Sequence, residues 1–318
     1  MANRIENYMS ARPQELAVAV GIIAILVVMV IPIPTFMLDL LLSFSITFSL
    51  IILLVVSFAA AFGPQLAPKD PNRQNIIARL KEPMTENRAG EVEYVLGTDA
   101  LGRDVLSRLI YGARISLVVG LTAVVIGGAL GIFLGMIAGY FGGWWDDIIM
   151  RLADIQLAFP FILLAIMFLV VLGPGVTNLV IILGIGQWVT YARIARGQTI
   201  SQREKDYVEA ARALGASTFS IIFRTILPNI LAPLTVIASF NVASVILAEA
   251  ALSFLGLGVP PTVPTWGGML AESRDQLLAG RWWLATFPGV AIMLTVLSFN
   301  ILGDWLRDFL DPRLGENG

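Results

Sequence analysis

The chemistry open to this chain is set first by the side chains it lacks. It contains no histidine and no cysteine, which excludes an imidazole base, a thiolate nucleophile, disulfides and nearly every zinc or transition-metal site together. Its only lysines are Lys69, Lys81 and Lys205, and none stands in G-x-x-x-x-G-K-[ST], so no phosphate-cradling loop of the Walker type is encoded. No carboxylate pair suited to hydrolysis is evident, and the chain is expected not to be an enzyme. Two groups of ionisable residues fall at or inside apolar stretches. Asp147–Arg151 and Arg151–Asp154, with Asp146 beside them, have i,i+4 and i,i+3 spacing, so their charges can neutralise one another. A structural ion pair and a gate both fit that spacing. Glu249 stands near the outer end of an apolar helix, where it can meet a substrate ammonium, hold an outer gate or snorkel to the interface.

The residues best suited to contact are not reactive ones. Glu209-Ala210-Ala211-Arg212-Ala213-Leu214-Gly215, followed by Leu227-Pro228, form a polar island between two long apolar runs. Ser201-Gln202-Arg203-Glu204 has capping-box spacing and predicts a helix start near Gln202. Gly215 suits the position that ends the helix. Tyr207, Val208, Ala211 and Leu214 fall on one face, while Ala210 and Ala211 keep the surface shallow. Ser217 is placed to cap a second short helix over Thr218–Arg224, and Leu227-Pro228 to open the next span with Pro near its first position. The result is a helix–glycine–helix elbow with an apolar knob, a shape suited to docking in a partner's groove.

A bilayer has to position these residues. Of the 318 residues, 57% are hydrophobic and 14% charged, too apolar for a soluble domain of this length. Apolar segments fall at 16–31, 36–62, 115–140, 155–173, 176–196, 229–258 and 285–306, most near the about 20 residues that cross a hydrocarbon core. Backbone groups at that depth must pair within the segment, so the fold is expected to be all-α, a polytopic helical membrane protein. The net charge of −2 argues against a nucleic-acid partner. The first run lacks a basic n-region and an A-x-A-like site, so no cleavable signal peptide is expected.

Basic residues in the short loop from Arg193 to Arg224 place the elbow, over 197–228, in the cytoplasm. Counting helices outward then puts Gly63–Arg114 and Gly256–Trp283 outside and the tail, 307–318, inside. The expected organisation is an atypical lead-in over 1–35, a first core helix over 36–62, an extracytoplasmic loop over 63–114 and a core over 115–306. The loop ends in an amphipathic run, Asp104 to Ile110, expected to lie along the interface, and Trp266-Gly267-Gly268 is expected to be a turn. The lead-in segment at 16–31 is short, and an extra helix, a re-entrant hairpin and an interfacial helix all fit it. Gly127, Gly131, Gly135 and Gly139 put a bare stripe on one helix face for close helix packing, or for meeting a partner subunit.

The spacing of Glu-Ala-Ala, three residues, Gly, eleven residues and Leu-Pro resembles the EAA motif of permease subunits of ABC importers. Leu96-Gly97-Thr98-Asp99 with Gly102-Arg103-Asp104, Ala138 to Gly143, Ala248 to Gly256, and Pro264-Thr265-Trp266-Gly267 are similar to the dipeptide/oligopeptide/nickel permease group, specifically its second, C-type subunit. Thr225 departs from the group, which commonly has His there, and Ile31 to Leu41 instead resembles the first helices of flagellar/type III export-gate proteins. The permease resemblance implies a type I importer core of about six transmembrane helices plus the atypical N-terminal segment, in the bacterial cytoplasmic (inner) membrane. It implies half of a translocation pathway for short peptides or related small solutes, nickel chelates included. The implied partners are a second homologous permease subunit, two ATPase subunits that bind ATP and Mg, an extracytoplasmic substrate-binding protein and membrane lipid. Tyr207, Glu209, Ala210, Ala211, Leu214, Gly215, Leu227 and Pro228 would then couple to the ATPase, and Asp99, Arg103 and Trp266 would meet the binding protein. The competing readings are an ion-coupled secondary transporter, which usually carries midplane charges and an inverted repeat, and a component of a protein-export gate.

Overall fold

The computed structural model describes residues 34–87 and 90–310, so the segment at 16–31 and the tail beyond Leu310 lie outside the described residues. The chain falls into two units, Met1–Ser45 and Ile46–Gly318. In the first, only Pro34 and the beginning of α1 are described. Helix α1, Thr35–Leu66, is non-helical at Phe62, just before Gly63-Pro64, where the proline ring lacks an N–H and crowds the preceding turn.

The second unit holds every other element. The loop after α1 carries a 3₁₀ turn, Ile76–Ala78, and a small antiparallel hairpin of β1 (Thr85–Glu86) and β2 (Val92–Tyr94) in which Thr85 faces Tyr94. The helices that follow are α2 (Val105–Phe141), α3 (Gly143–Leu157), α4 (Phe161–Leu172), α5 (Val176–Arg203), α6 (Asp206–Ala213), α7 (Leu227–Phe254), α8 (Trp266–Leu278) and α9 (Trp283–Leu310). A turn at Thr218–Ser220 and a π-helical stretch at Ile221–Ile226 lead into α7. Among the described residues, five helical stretches are long and apolar enough to cross a membrane, and the bent pair α3–α4 makes a sixth candidate.

Four expectations are corrected. The run Asp104 to Ile110 is not a separate interfacial helix: Asp104 caps α2, its Oδ2 accepting the Ser107 amide at 2.8 Å, and no breaker interrupts the 37 residues that follow. That helix is about 55 Å long. The segment at 155–173 is not a straight span, because Pro160 starts a new helix and α3 and α4 meet at 86°. Trp266-Gly267-Gly268 is the first turn of α8, whose Thr265 Oγ1 accepts the Gly268 amide at 3.0 Å. The π-helical stretch and α7 form one continuous helical run from Thr218 to Phe254, so Pro228 sits in α7's first turn but does not begin the span.

The core is organised by the seam between α2 and α5. A Cβ added at Gly127, Gly131, Gly135 or Gly139 would meet the carbonyl oxygens of Gly184, Trp188, Ala192 and Arg196 at 2.4, 2.3, 2.3 and 2.7 Å. Two four-residue periods therefore interlock backbone to backbone, which only missing side chains permit. The glycine stripe is filled within the chain, so it does not meet a partner subunit. Around the seam Val119, Ala123, Leu179, Leu183, Ile226 and Ile246 form the main core, while Val105, Trp266 and Trp283 anchor a second cluster. Because α2 and α5 run parallel along this seam, with Gly127 at Gly184 and Gly139 at Arg196, the start of α2 and the end of α5 lie at opposite ends of the bundle. Arg203 reinforces the α5 end by donating to the Gly139 and Tyr140 carbonyls at 3.1 and 3.2 Å, where the helix dipole favours a cation.

Candidate functional site

At the end of α5 the chain turns sharply into α6. The predicted capping box does not form, because Ser201, Gln202 and Arg203 remain helical as the last residues of α5 and Lys205 stands at the start of α6. The cause is local: the Lys205 amide bonds back to Gln202 O at 3.1 Å, closing α5, and its carbonyl then accepts the Val208 and Glu209 amides. Tyr207 ties the joint, its hydroxyl donating to Gln202 Oε1 at 2.7 Å. Partial burial pushes the Tyr207 phenol above its ordinary value, so it remains a donor.

The end of α6 follows the sequence. Gly215 adopts a φ of +81°, its amide bonds to Arg212 O at 3.0 Å, and the Ala216 amide reaches back to Ala211 O at 3.0 Å. This paired closure is the Schellman arrangement, and glycine suits it because a Cβ is disfavoured at positive φ. The predicted apolar face divides in two. Val208 is fully buried and Ala211 and Ala216 pack on the main core, whereas Leu214 is 87% exposed and Phe219, across the bend, is 69% exposed. Ala210, Ala213 and Gly215 between them are exposed and carry little side chain. The elbow thus has an anchored inner face and a shallow outer face with two apolar projections. Phe219, which the sequence reading missed, packs against Phe223 in a tilted pair with ring centroids 4.5 Å apart; its position two residues after the Ser217 cap was the available signal.

The neighbouring charges are redistributed. The expected local pairs Asp147–Arg151 and Arg151–Asp154 do not form among the described residues. Asp154 Oδ1 accepts from Arg193 Nη2 at 2.6 Å, and Asp146 takes a bidentate pair from Arg196, 2.5 Å at Nη2. Tertiary partners win because α5 passes alongside α3 and presents arginines one turn apart. Gln156 completes the ladder, accepting from Trp188 Nε1 at 2.7 Å and donating to Gly186 O at 3.0 Å. Asp147 and Arg151 are exposed.

At the opposite end, the expected contact residues are interior. Asp99, Arg103 and Trp266 are buried, which removes them as surface for a partner. Asp99 Oδ2 accepts from Arg103 Nε and from Arg108 Nη1, each at 2.6 Å, and both arginines reach Glu272 on α8. Two arginines and two carboxylates make a neutral cluster, and Asp99 Oδ1 also accepts the Leu101 and Arg103 amides at 2.8 and 2.9 Å. The cluster fastens the loop before α2 to α8, and Trp266 locks the crossing by donating from Nε1 to Leu109 O at 3.0 Å. Sequence could not find Arg108 or Glu272 as partners, since they lie 164 residues apart. Further out, the Lys81 ammonium hydrogen-bonds the Glu93 carboxyl at 3.1 Å and holds it below the usual carboxylate range.

Glu249 does not snorkel. It is fully buried, with Oε2 accepting from Ser116 on α2 at 3.1 Å and Oε1 from Ser253 at 2.8 Å. The Ser116 bond joins α2 to α7, and the two bonds together satisfy a polar group that would otherwise be costly at this depth.

The family described as binding-protein-dependent transport system inner membrane component matches residues 131–316, and that of the N-terminal TM domain of oligopeptide transport permease C matches residues 47–83. The chain is 46% identical over 260 residues to the di/tripeptide transport system permease protein DppC of Pseudomonas aeruginosa, covering 82% of this chain and 85% of that one. It is 42% identical over 262 residues to the dipeptide transport system permease protein DppC of Haemophilus influenzae, covering 82% and 88%. To the glutathione transport system permease protein GsiD of Pectobacterium atrosepticum it is 47% identical over 220 residues, covering 69% and 72%. Among solved structures, an inward-facing conformation of the MetNI methionine ABC transporter superposes with a TM-score of 0.52 at 18% identity, covering 64% of this chain and 96% of that one; the likeness is one of fold.

Proposed function

We propose, from the premise that this chain belongs to the family of binding-protein-dependent transport system inner membrane components, that it forms half of the path by which an ATP-driven importer carries short peptides across the membrane. As a multi-pass protein of the bacterial inner membrane, it would pair with a second permease subunit. Two ATPase subunits would bind ATP and Mg and supply the work, and an extracytoplasmic binding protein would deliver substrate. The chain itself would carry out no covalent chemistry. The peptide class follows the di/tripeptide, dipeptide and glutathione permeases that it resembles. The ion-coupled carrier and the export gate are set aside on the same ground.

The observation that carries this reading is the two-faced elbow. Val208, Ala211 and Ala216 tie it to the core, so it cannot swing freely, while Leu214 and Phe219 project uncovered by the described residues, as a docking partner would require. A push on this outer face reaches α5 through the two-residue joint Glu204-Lys205 and reaches α7 through the π-helical stretch. Glu209, Ala210 and Gly215 line the shallow contact, Tyr207 and Ala211 brace it from behind, and Leu227 and Pro228 lie where the second arm becomes a spanning helix. The π turn ends at Ile226, two residues before Pro228, and Asn229 Nδ2 donates to Thr225 O at 2.7 Å beside it, so the second arm has a defined place to change its winding.

The test replaces Leu214 with aspartate in the assembled importer. Burying a leucine side chain is worth about 1.5–3 kcal/mol, so ATPase co-purification and ATP-driven uptake of a labelled dipeptide into vesicles are expected to fall at least about tenfold. Normal uptake by Leu214→Asp would overturn the coupling role.

A further inference from the structure

On the loop between α1 and α2, at the end of the bundle away from the elbow, Ile76 is 73% and Ile77 96% exposed. Arg73 and Arg79 flank this pair, and among the described residues neither forms an ion pair. We infer that this basic-rimmed isoleucine knob is the surface on which the extracytoplasmic binding protein docks; the inference rests on the proposed function above. It replaces Asp99, Arg103 and Trp266, which are buried.

The knob is rigidly mounted. The Asn75 amide bonds to Leu101 O at 3.2 Å, the Leu80 amide to Asp99 O at 3.1 Å, and Arg79 Nε to Ala100 O at 2.6 Å. Asn75 O presses so closely on Gly102 that an added Cβ would lie 1.8 Å away. The turn is thereby pinned against Asp99 to Gly102, the segment that ends two residues before the cap of α2 and carries Asp99 of the Arg108–Glu272 cluster. A surface held in this way loses little conformational entropy when a partner covers it.

Its height argues for protein rather than lipid. Gly139 of α2 packs at the level of Arg196, near the elbow end, and Val105 lies 34 residues further along, about 50 Å at the α-helical rise. The hydrocarbon core is about 30 Å thick, which leaves the knob beyond it, in water. Adjacent, nearly bare isoleucines there form the kind of apolar patch with a polar rim that marks protein contact. Two unneutralised guanidinium groups call for carboxylates on the partner. The elbow occupies the other end, so a partner here is not the ATPase. The matching surface would be an apolar dimple bordered by Asp or Glu.

The test uses the complete importer, both permeases and both ATPases, in lipid nanodiscs. Purified peptide-binding protein loaded with a dipeptide is titrated against it while ATP hydrolysis is followed. Arg79→Glu and the double variant Ile76→Ser/Ile77→Ser are expected to raise the half-saturating concentration of binding protein at least tenfold, with the basal rate and the saturated rate unchanged. Reversing one acidic residue on the binding protein to lysine should restore Arg79→Glu. An unchanged half-saturation for both variants overturns the inference. So does loss of the second permease on purification, which makes that subunit the occupant, or a shift seen only in anionic lipid, which makes the membrane surface the occupant. Arg79→Glu lies at an exposed position and keeps the test decisive if the isoleucine variant fails to fold. Failure of the proposed function would be visible earlier, as wild-type permease that does not bind the ATPase before any binding protein is added.

Discussion

Alanine at Gly131 asks how closely two spanning helices must approach. The added Cβ would lie 2.3 Å from Trp188 O, 2.6 Å from Tyr191 Cβ and 3.0 Å from Ala192 N. Carbon–oxygen contacts between packed backbones settle at about 3.3–3.6 Å, so α2 and α5 must part by about 1 Å at this crossing. The strain has no slack on either side to relax into, since at Gly127 and Gly135 too α5 lies so close that an added Cβ would stand 2.4 and 2.3 Å from its carbonyl oxygens. Overpacking of this kind costs about 1–3 kcal/mol, and backbone obstacles yield less than side-chain ends, which favours the upper part of that range. Against it stands a gain of about 0.5–1 kcal/mol for replacing a mid-helix glycine by alanine. The net expectation is a loss of about 1–2 kcal/mol. Gly128 provides the control: one residue away on the same helix, its Cβ would meet only the Tyr191 ring, at 3.6 Å, an ordinary contact. Gly128→Ala should therefore gain the helix term without the clash. Thermal unfolding of the purified protein in lipid nanodiscs, followed by tryptophan fluorescence, should rank Gly128→Ala at or above wild type and Gly131→Ala clearly below it. Equal midpoints for the two variants would refute the interlocked seam.

Other perturbations follow from the same geometry. Arg108→Ala strips Asp99 and Glu272 of a shared partner and should destabilise by about 3–5 kcal/mol, read as early protease cleavage in the loop before α2. Glu249→Gln keeps an acceptor for Ser116 and Ser253 and should unfold near wild type, while Glu249→Ala should cost about 1–3 kcal/mol in the same unfolding assay. Gly215→Ala forces a Cβ to a φ of +81° and should cost about 1–2 kcal/mol, whereas Gly215→Asn should cost less; nothing among the described residues lies within 4 Å to clash, so ATPase co-purification should track the strain and not the volume.

Much of this fold was legible because some features depend on neighbours in sequence. The glycine stripe needed only its four-residue period, and the closure of α6 needed only a glycine after a short helix. The apolar runs fixed the main spans for the same reason. The failures share a different cause. Ser201 to Arg203 carry a capping pattern, yet they also continue α5, and tertiary packing of α5 on α2 decides between the two. Asp154 has Arg151 at helical spacing, yet it bonds to Arg193 on another helix, as Asp146 bonds to Arg196, and no local pattern reveals that helix's approach. Asp104 to Ile110 alternates like an interfacial helix because Arg108 is polar, and only its partner Glu272, far along the chain, makes it an interior residue. Trp266 is large and follows prolines, which suggests a surface turn, until the Leu109 carbonyl claims its indole. Of the elbow, sequence found the bend and the knob at Leu214 but not the division of its apolar face, since Val208 turns inward only once α6 meets the core.

The most direct test of the elbow as the point where work enters is made possible by the absence of cysteine from the chain. Leu214→Cys provides a single thiol on the exposed knob, which can be probed in inside-out vesicles with a membrane-impermeant reagent. The account predicts rapid labelling of the isolated permease, strong protection once the ATPase subunits are bound, and a cross-link to the ATPase with a short bifunctional reagent. Labelling that proceeds only from the outer side, or that is equally fast with and without the ATPase, would contradict it.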